Sequence, residues 1–297
     1  MLSLVLNRVF RTVMDRREIE TDSLREVLRR YVGGMARLWW TLQRTPSVVP
    51  ARGPSCTVVL ASFRRMANLT PIVRSVLRLG CVERVLVTNN NPAVKLGRRL
   101  RLRDPRLEVV EQPVARPPGI RFDLALEQPG ERFLVLDDDL FLAPHALALL
   151  LAALERDPSV VHGVQGEIFD PVGRRCAPAV RYVDQRVHVL NRVYCFTKAH
   201  LVEYHRLAAD LAERGFGSVG LWDDVLLSAA GDGHAQVHRV GFWPDCPSGI
   251  DRKTAVFLSG DGFRAERMRV FDALAESKPG FGTTLVPPPQ FPWVDAS

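Results

Sequence analysis

The densest group of chemically competent residues is Asp137-Asp138-Asp139, which follows the apolar run Phe133-Leu-Val-Leu136 and precedes Leu140-Phe-Leu142. Three adjacent carboxylates repel one another unless a positive charge sits among them. A hard divalent cation, Mg²⁺ or Mn²⁺, is the economical partner, because it takes oxygen ligands from a few carboxylates and keeps positions for phosphate oxygens. Such a centre stabilises a departing diphosphate. The plainer reading of the same residues is an acidic turn ahead of the helix that Pro144 opens.

A second acidic pair, Asp223-Asp224, lies in Trp222-Asp-Asp-Val-Leu-Leu-Ser228 behind the loop Gly215-Phe-Gly-Ser-Val-Gly220. Carboxylates in a first helical turn are favoured by the helix dipole, so a cap is one reading. The other puts a carboxylate beside a reacting carbon, to stabilise developing positive charge or to take a proton. Arg252, Lys253, Arg264, Arg267 and Arg269 form a basic group near the C-terminus. Most of these should be solvated, with one or two turned inward to meet phosphate. Arg64 and Arg65 directly follow the first strand, where an anionic ligand would bind. His234 and His238 are four apart but do not share a helix face, which favours a structural role for each. No nucleophile-elbow pattern is present.

These residues need a frame that brings strand ends together. Thr57–Ala61, Val82–Thr88, Leu107–Glu111 and Arg132–Leu136 read as short buried strands. Between them, Asn68 or Thr70 is expected to cap a helix running to Leu79 with Pro71 early in it, and Arg121–Glu127 reads as a short helix. Strand and helix in alternation predict an α/β fold, a mostly parallel sheet with helices on both faces. Further strands are expected near Val160–Ile168 and Val187–Phe196, and a helix over Lys198–Arg214. In such a sheet ligands gather at the carboxyl ends of the strands, where Asp137–Asp139 fall. No Gly-x-Gly-x-x-Gly or P-loop follows the first strand, so dinucleotide and P-loop functions lose their main support.

Residues 1–54 read as a separate helical extension and linker, and 55–297 as the main domain. Leu24, Val27, Leu28, Tyr31, Val32, Met35, Leu38, Trp39 and Leu42 form an apolar stripe at helical spacing, decorated by arginines. That stripe packs on protein, as in a dimer, or lies at a membrane surface with Trp39 and Trp40 at headgroup level. No run is long enough to span a bilayer, and no signal-peptide cleavage site is evident, which predicts a cytoplasmic protein, at most peripheral to the inner face of the membrane. The net charge of +7 does not imply nucleic acid: lysine occurs only at positions 95, 198, 253 and 278, and the arginines make no stripe with interleaved aromatics. Cys56, Cys81, Cys176, Cys195 and Cys246 include no CxxC pair, so reduced, buried cysteines are expected rather than a zinc site.

Taken in order, these residues resemble the exostosin-type glycosyltransferases, the GT64 family of GT-A enzymes, over most of residues 56–285. The matching elements are Ser62-Phe-Arg-Arg65 after the first strand, Val85-Leu-Val-Thr-Asn89-Asn90, Arg121 ahead of the acidic strand, Val135-Leu-Asp137-Asp138-Asp139, Asp223-Asp224, and Arg267 in Phe263-Arg-Ala-Glu-Arg267. Two positions depart: Ile120 stands where the family has Asn, and Phe263 where it has His. The resemblance implies a GT-A fold, Mn²⁺ (or Mg²⁺), a UDP-sugar donor and retention of anomeric configuration. It places Arg65, Asn89 or Asn90, and Arg121 around the nucleotide, and Asp137, Asp138 and Asp139 on sugar and metal. Asp224, with Asp223, would be at the reaction centre and Arg267 on the diphosphate. The acceptor would be a glycan or lipid-linked saccharide.

Three other readings compete. An inverting transferase of the family 2 type would use Asp224 as general base. A metal-dependent nucleotidyltransferase usually has a glycine-rich basic loop after the first strand, and Ser62-Phe-Arg-Arg-Met-Ala67 lacks the glycines. A non-catalytic sugar- or membrane-binding module would use the aspartates only as helix caps.

Overall fold

The computed structural model describes residues 54–63, 65–98, 100, 102–170, 175–176, 180–241, 243 and 261–285. The N-terminal apolar stripe, Arg64, Arg252, Lys253 and Cys246 therefore lie outside the described residues. Six α-helices and thirteen strands are described. In chain order the first half is β1 (Cys56–Ser62), α1 (Met66–Leu77), β2 (Val82–Asn89), β3 (Leu107–Glu111), α2 (Ile120–Leu126), β4 (Arg132–Asp137) and α3 (Pro144–Arg156). Then come β5 (His162–Gly163), β6 (Gln165–Glu167), β7 (Phe169–Asp170), β8 (Arg175–Cys176), β9 (Val180–Arg181), β10 (Gln185–Val187), β11 (Val189–Asn191) and β12 (Val193–Thr197). The chain closes with α4 (Lys198–Glu213), α5 (Asp223–Ala229), β13 (Ala235–Val237) and α6 (Asp261–Ser277).

The main sheet has eight strands in the order β10-β13-β5-β12-β4-β1-β2-β3. Its functional half, β3-β2-β1-β4, is parallel, and β12 lies antiparallel against β4. β1 and β4, buried on both faces, are near-continuous apolar runs, whereas β2 carries the exposed Glu83 and Arg84 near its start and the edge strand β3 is half-buried. Val59, Leu86, Phe133 and Val135 pack with α2, α4, α5 and α6 on one face. Val58, Leu60, Val85, Val87, Leu134 and Leu136 pack with α1 and α3 on the other. Alternate residues of one strand thus enter different cores, as the two-residue period of a strand requires.

Two expected strands turn out to be broken. Val160–Ile168 divides into β5, in the main sheet, and β6, in a three-stranded sheet ordered β11-β6-β9. Val187–Phe196 divides in the same way into β10, β11 and β12, the middle piece leaving the main sheet. The return from β11 to β12 is made at Arg192, whose φ of 67° lies in the left-handed region. At the matching break a Cβ on Gly163 would sit 2.5 Å from the Val193 carbonyl oxygen, so the two strands approach only over a glycine.

α1 begins four residues before Thr70, with Arg65 at its N-cap and Pro71 inside the helix. Asn68 does not cap it: the amide is drawn instead to the Asp138 carbonyl, donating through Nδ2 at 2.8 Å. No described helix is long and apolar enough to cross a membrane. Cys56, Cys81 and Cys195 are free and buried.

Candidate functional site

The parallel register lines up the carboxyl ends of four strands. Asp137 of β4 pairs with Ala61 of β1, Ser62 with Asn89 of β2, and Asn89 with Glu111 of β3. The acidic turn therefore opens beside the ends of β1 and β2, at the edge where α/β sheets take ligands.

Each of its three carboxylates has a different neighbour. Asp137 receives Nη1 of Arg121 in a very close ion pair. Asp138 accepts from Ser62 Oγ at 2.9 Å and from Arg65 Nη1 at 3.2 Å. Asp139 accepts from the same Arg65 nitrogen at 3.0 Å through Oδ2. Its Oδ1 is buried without a hydrogen-bond partner, and among the described residues Arg192 Nε stands 3.8 Å from it. Burial pushes Asp137 up to about 6 against the pull of Arg121, and raises Asp138 against the pull of Arg65. These are desolvation effects, which disfavour the charged form.

Arg121 joins the two acidic motifs. Its Nε donates to Asp223 Oδ2 at 2.9 Å while Nη1 holds Asp137, and the guanidinium stacks 4.9 Å from the Tyr194 ring centroid. Burial alone would lower the Arg121 pKa, but Asp223 and Asp137 reverse that and hold it well above its ordinary value. Asp223, equally buried, is pushed up to about 6 by desolvation, with Arg121 pulling it down.

Asp224 is clamped by a second arginine. Arg267 Nη1 donates to Asp224 Oδ1 at 2.8 Å and Nη2 lies 2.7 Å from Oδ2, a bidentate pair. The same Nη2 reaches Glu167 Oε2 of β6 at 3.3 Å, and Asn191 Nδ2 of β11 stands 3.5 Å from Asp224 Oδ2. The helix-cap reading holds alongside this one: Asp223 Oδ1 and Asp224 Oδ1 accept from the backbone N–H groups of Asp224 and Val225.

Arg65, Arg121, Asp137, Asp138, Asp139, Asp223, Asp224 and Arg267 are thus gathered into connected ion pairs from β4, α5, α6 and the start of α1 and α2. The two asparagines are placed differently. Asn89 spends its Nδ2 on the Val94 carbonyl at 2.5 Å and Glu111 Oε2 at 2.6 Å, and its Oδ1 accepts from Asn91 N–H. Asn90 Oδ1 accepts from Thr88 Oγ1 at 2.9 Å. Both shape the strand end and the loop behind it. Of the other basic residues, Arg269 pairs with Glu266 on the surface. His234 and His238 are structural: His238 Nε2 meets His162 Nδ1 at 2.8 Å, and His234 faces the Thr283 hydroxyl.

Sequence reasoning missed Ser62's bond to Asp138, and it missed Glu167, Asn191 and Arg192. The last three come from the segments that leave the main sheet, and nothing in their local spacing marks them. Phe263, where the resembling family has His, packs against Trp222 with ring centroids 4.9 Å apart.

No trio of His, Cys, Asp or Glu among the described residues is arranged as a protein-only metal cage. A hard cation shared with substrate phosphates needs only one or two carboxylates. The buried Asp139 Oδ1, which has no hydrogen-bond donor, would serve as such a ligand. Among the described residues the ion pairs fall into three groups, Arg65 and Arg192 with Asp138 and Asp139, Arg121 with Asp137 and Asp223, and Arg267 with Asp224 and Glu167. The all-oxygen set at Asp137–Asp139, with Asp139 Oδ1 unbonded, fits a hard divalent cation.

No protein-family model matches the chain, and no curated protein matches it. Among solved structures it is similar to GalNAc-T7 crystallised with UDP, GalNAc and Mn²⁺, at 11% identity and a TM-score of 0.46, covering 63% of this chain and 43% of that one. It is also similar to S. aureus TarS residues 1–349, at 15% identity and a TM-score of 0.44, covering 75% of this chain and 72% of that one. The chain spans less than half the length of the GalNAc-T7 chain.

Proposed function

We propose that this chain is a metal-dependent glycosyltransferase of the GT-A type. It would move a sugar from a nucleoside diphosphate, UDP first among them, to a hydroxyl of a glycan or lipid-linked acceptor, with retention of configuration. The observation that carries the proposal is the junction at Arg121. One buried guanidinium holds a carboxylate from the end of β4 and another from the first turn of α5, at the ligand edge of a parallel sheet.

In this reading Asp139 and Asp137 hold Mn²⁺ or Mg²⁺, which when bound neutralises the departing diphosphate. Arg65, Asn89, Asn90, Arg121 and Asp138 surround the nucleotide and sugar, the asparagines by shaping the floor of the site. Arg267 serves the diphosphate and Asp224 the reacting carbon, with Asp223 behind it. Asp224 has both oxygens occupied by Arg267, which fixes its carboxylate in place. A fixed charge suits an oxocarbenium-like transition state, and this supports retention over an inverting route with Asp224 as general base. Residues 24–44 would add either a peripheral contact with the inner face of the membrane or a dimer interface.

Calorimetry tests the donor site: UDP with Mn²⁺ should bind, GDP more weakly, and Asp137→Ala plus Asp139→Ala should abolish the metal-dependent part. Unchanged binding in that variant removes the metal site from the proposal. The anomeric configuration of the product, read by NMR, decides the stereochemistry, and inversion would transfer the role of base to Asp224.

A further inference from the structure

We propose that Cys81 and Cys56 form a peroxide-reactive thiol pair that closes to a disulfide between the starts of β2 and β1. The site lies at the end of the sheet away from the acidic turn, and it does not depend on the donor-site reading.

Cys56 is the first residue of β1, and Cys81 stands in the turn between α1 and β2. The Cys56 N–H donates to the Cys81 carbonyl at 2.9 Å, so the two backbones meet directly. The register slips by one residue between Cys56 and Thr57, and both cysteines enter the core shared with α1 and α3. Their thiols are hydrogen-bonded to each other. Neighbouring strands lie about 4.8 Å apart, within the Cα separation that a disulfide spans. Cys195, the third free cysteine among the described residues, sits on β12, two strands from β1 across β4. Two spacings, about 9.6 Å, exceed the ~7 Å limit, so Cys195 cannot replace either member.

The pair is unequal. Cys56 donates the shared bond and is held well above the ordinary thiol value, by that bond first and by burial second. Cys81 accepts the bond and is lowered to about 7 against the effect of burial. The buried Arg132 guanidinium favours the thiolate at both positions. Cys81 is 9% exposed and Cys56 1%, so a small oxidant reaches Cys81 first. A lowered thiol in reach of solvent, with a second thiol in contact, is the arrangement in which oxidation stops at the disulfide. The Cys81 thiolate attacks hydrogen peroxide: an S–O bond forms as the O–O bond breaks. The departing hydroxide takes up the proton that Cys81 had lost, and Cys81 is left as a sulfenic acid. The Cys56 sulfur then attacks the Cys81 sulfur. The S–S bond forms, the S–O bond breaks, and the Cys56 proton leaves with the hydroxide as water. Two thiols and one peroxide thus give one disulfide and two waters.

The test uses full-length, folded, reduced protein at neutral pH, treated with hydrogen peroxide and mapped by mass spectrometry. Wild type should give a cross-linked peptide joining Cys56 to Cys81, opened again by dithiothreitol. Cys56→Ser should stop at the sulfenic acid, captured on Cys81 by dimedone, and Cys81→Ser should leave Cys56 a free thiol over the same time. The wild-type rate should fall as pH drops below about 7, with the Cys81 thiolate. Oxidised wild type should unfold roughly 5–10 °C above the reduced form, through the chain loop that the link closes. Absence of the Cys56–Cys81 peptide, or its formation only in protein that is first unfolded, overturns the proposal. So does a link through Cys195, or oxidation of Cys56 that is undiminished in Cys81→Ser. The wild-type map needs no variant, so it decides the matter even where a serine variant fails to fold.

Discussion

Arg121 lies between Asp137 and Asp223 with almost no contact with solvent, and this decides what its removal does. A buried ion pair contributes little net stability when formed, yet breaking one side strands the other charge. Arg121→Met leaves two carboxylates facing each other in a dry site and should cost about 3–5 kcal/mol in urea unfolding. Asp223→Asn in the same background removes one of the stranded charges, so the double variant should lose less than the two single losses added, by ~2 kcal/mol. Strict additivity would mean that Arg121 acts through packing on Phe122 and Tyr194 instead. Under the proposed function a second division of labour separates Asp139 from Asp224. Asp224→Asn should lower donor turnover by about 10²-fold while UDP affinity stays near wild type, because a charge felt mainly in the transition state is lost. Asp139→Asn should chiefly weaken metal-dependent binding. If both variants lost affinity equally, the separation of roles would be wrong.

At the scale of elements, the two acidic motifs stay in register because α2 and the loop before α5 touch backbone to backbone. Gly119 N–H donates to the Gly220 carbonyl at 3.0 Å. A Cβ on Gly119 would lie 3.0 Å from Gly220 Cα and from the Tyr204 hydroxyl, and one on Gly220 would lie 2.9 Å from the Pro117 ring. The ring cannot turn aside, so Gly220→Ala should push α5 from α2 and stretch the Arg121–Asp223 bond. The expected cost is about 1–3 kcal/mol, with a loss of UDP affinity although residue 220 lies outside the ion-paired cluster. Ordinary affinity in a destabilised Gly220→Ala would show that the contact serves the fold alone. The sequence was readable where packing is two-sided: β1 and β4 are apolar runs closed by polar residues, so both these strands and the position of Asp137 follow from composition. The exchange of β6 and β11 into the small sheet was not readable, because it depends on the left-handed turn at Arg192, and arginine carries no signal for that conformation. Glu167 and Asn191 were hidden for the same reason. Pro71 misled in the opposite direction. Its place near a helix start suggested a boundary, whereas the Asn68 amide is held by Asp138 and the helix begins before it.

Across the whole molecule, the response to acid sets two populations of buried groups against each other. His162, His188, His200, His234 and His238 are all held below the ordinary imidazole value, each mainly by burial, and His162 falls to about 4. Below pH 6.5 the unfolded chain takes up protons on these residues that the folded chain refuses, so stability is lost as pH falls from about 6.5. Asp137 and Asp223 act the other way. Their folded values near 6 exceed the unfolded value of 3.8, so between those limits the folded chain holds the extra protons and acid stabilises it. From about pH 7 downward the unfolded histidines take up protons, each one refused outright by the folded chain being worth about 1.4 kcal/mol per pH unit, while Asp137 and Asp223 already begin to protonate in the folded chain and offset part of that loss. The offset grows through pH 6 and is largest between there and 3.8. Unfolding temperature should therefore be level well above pH 7, fall along a first slope around 6.5, and be held back by the aspartates in a lower branch below 6. His162→Gln should flatten the first slope even if it lowers stability throughout, since the slope counts protons and not contacts. Asp223→Asn should steepen the lower branch by removing one opposing group. A temperature that rises on acidification from pH 7 to 6, or slopes that neither variant alters, would mean that these buried groups do not govern the acid response.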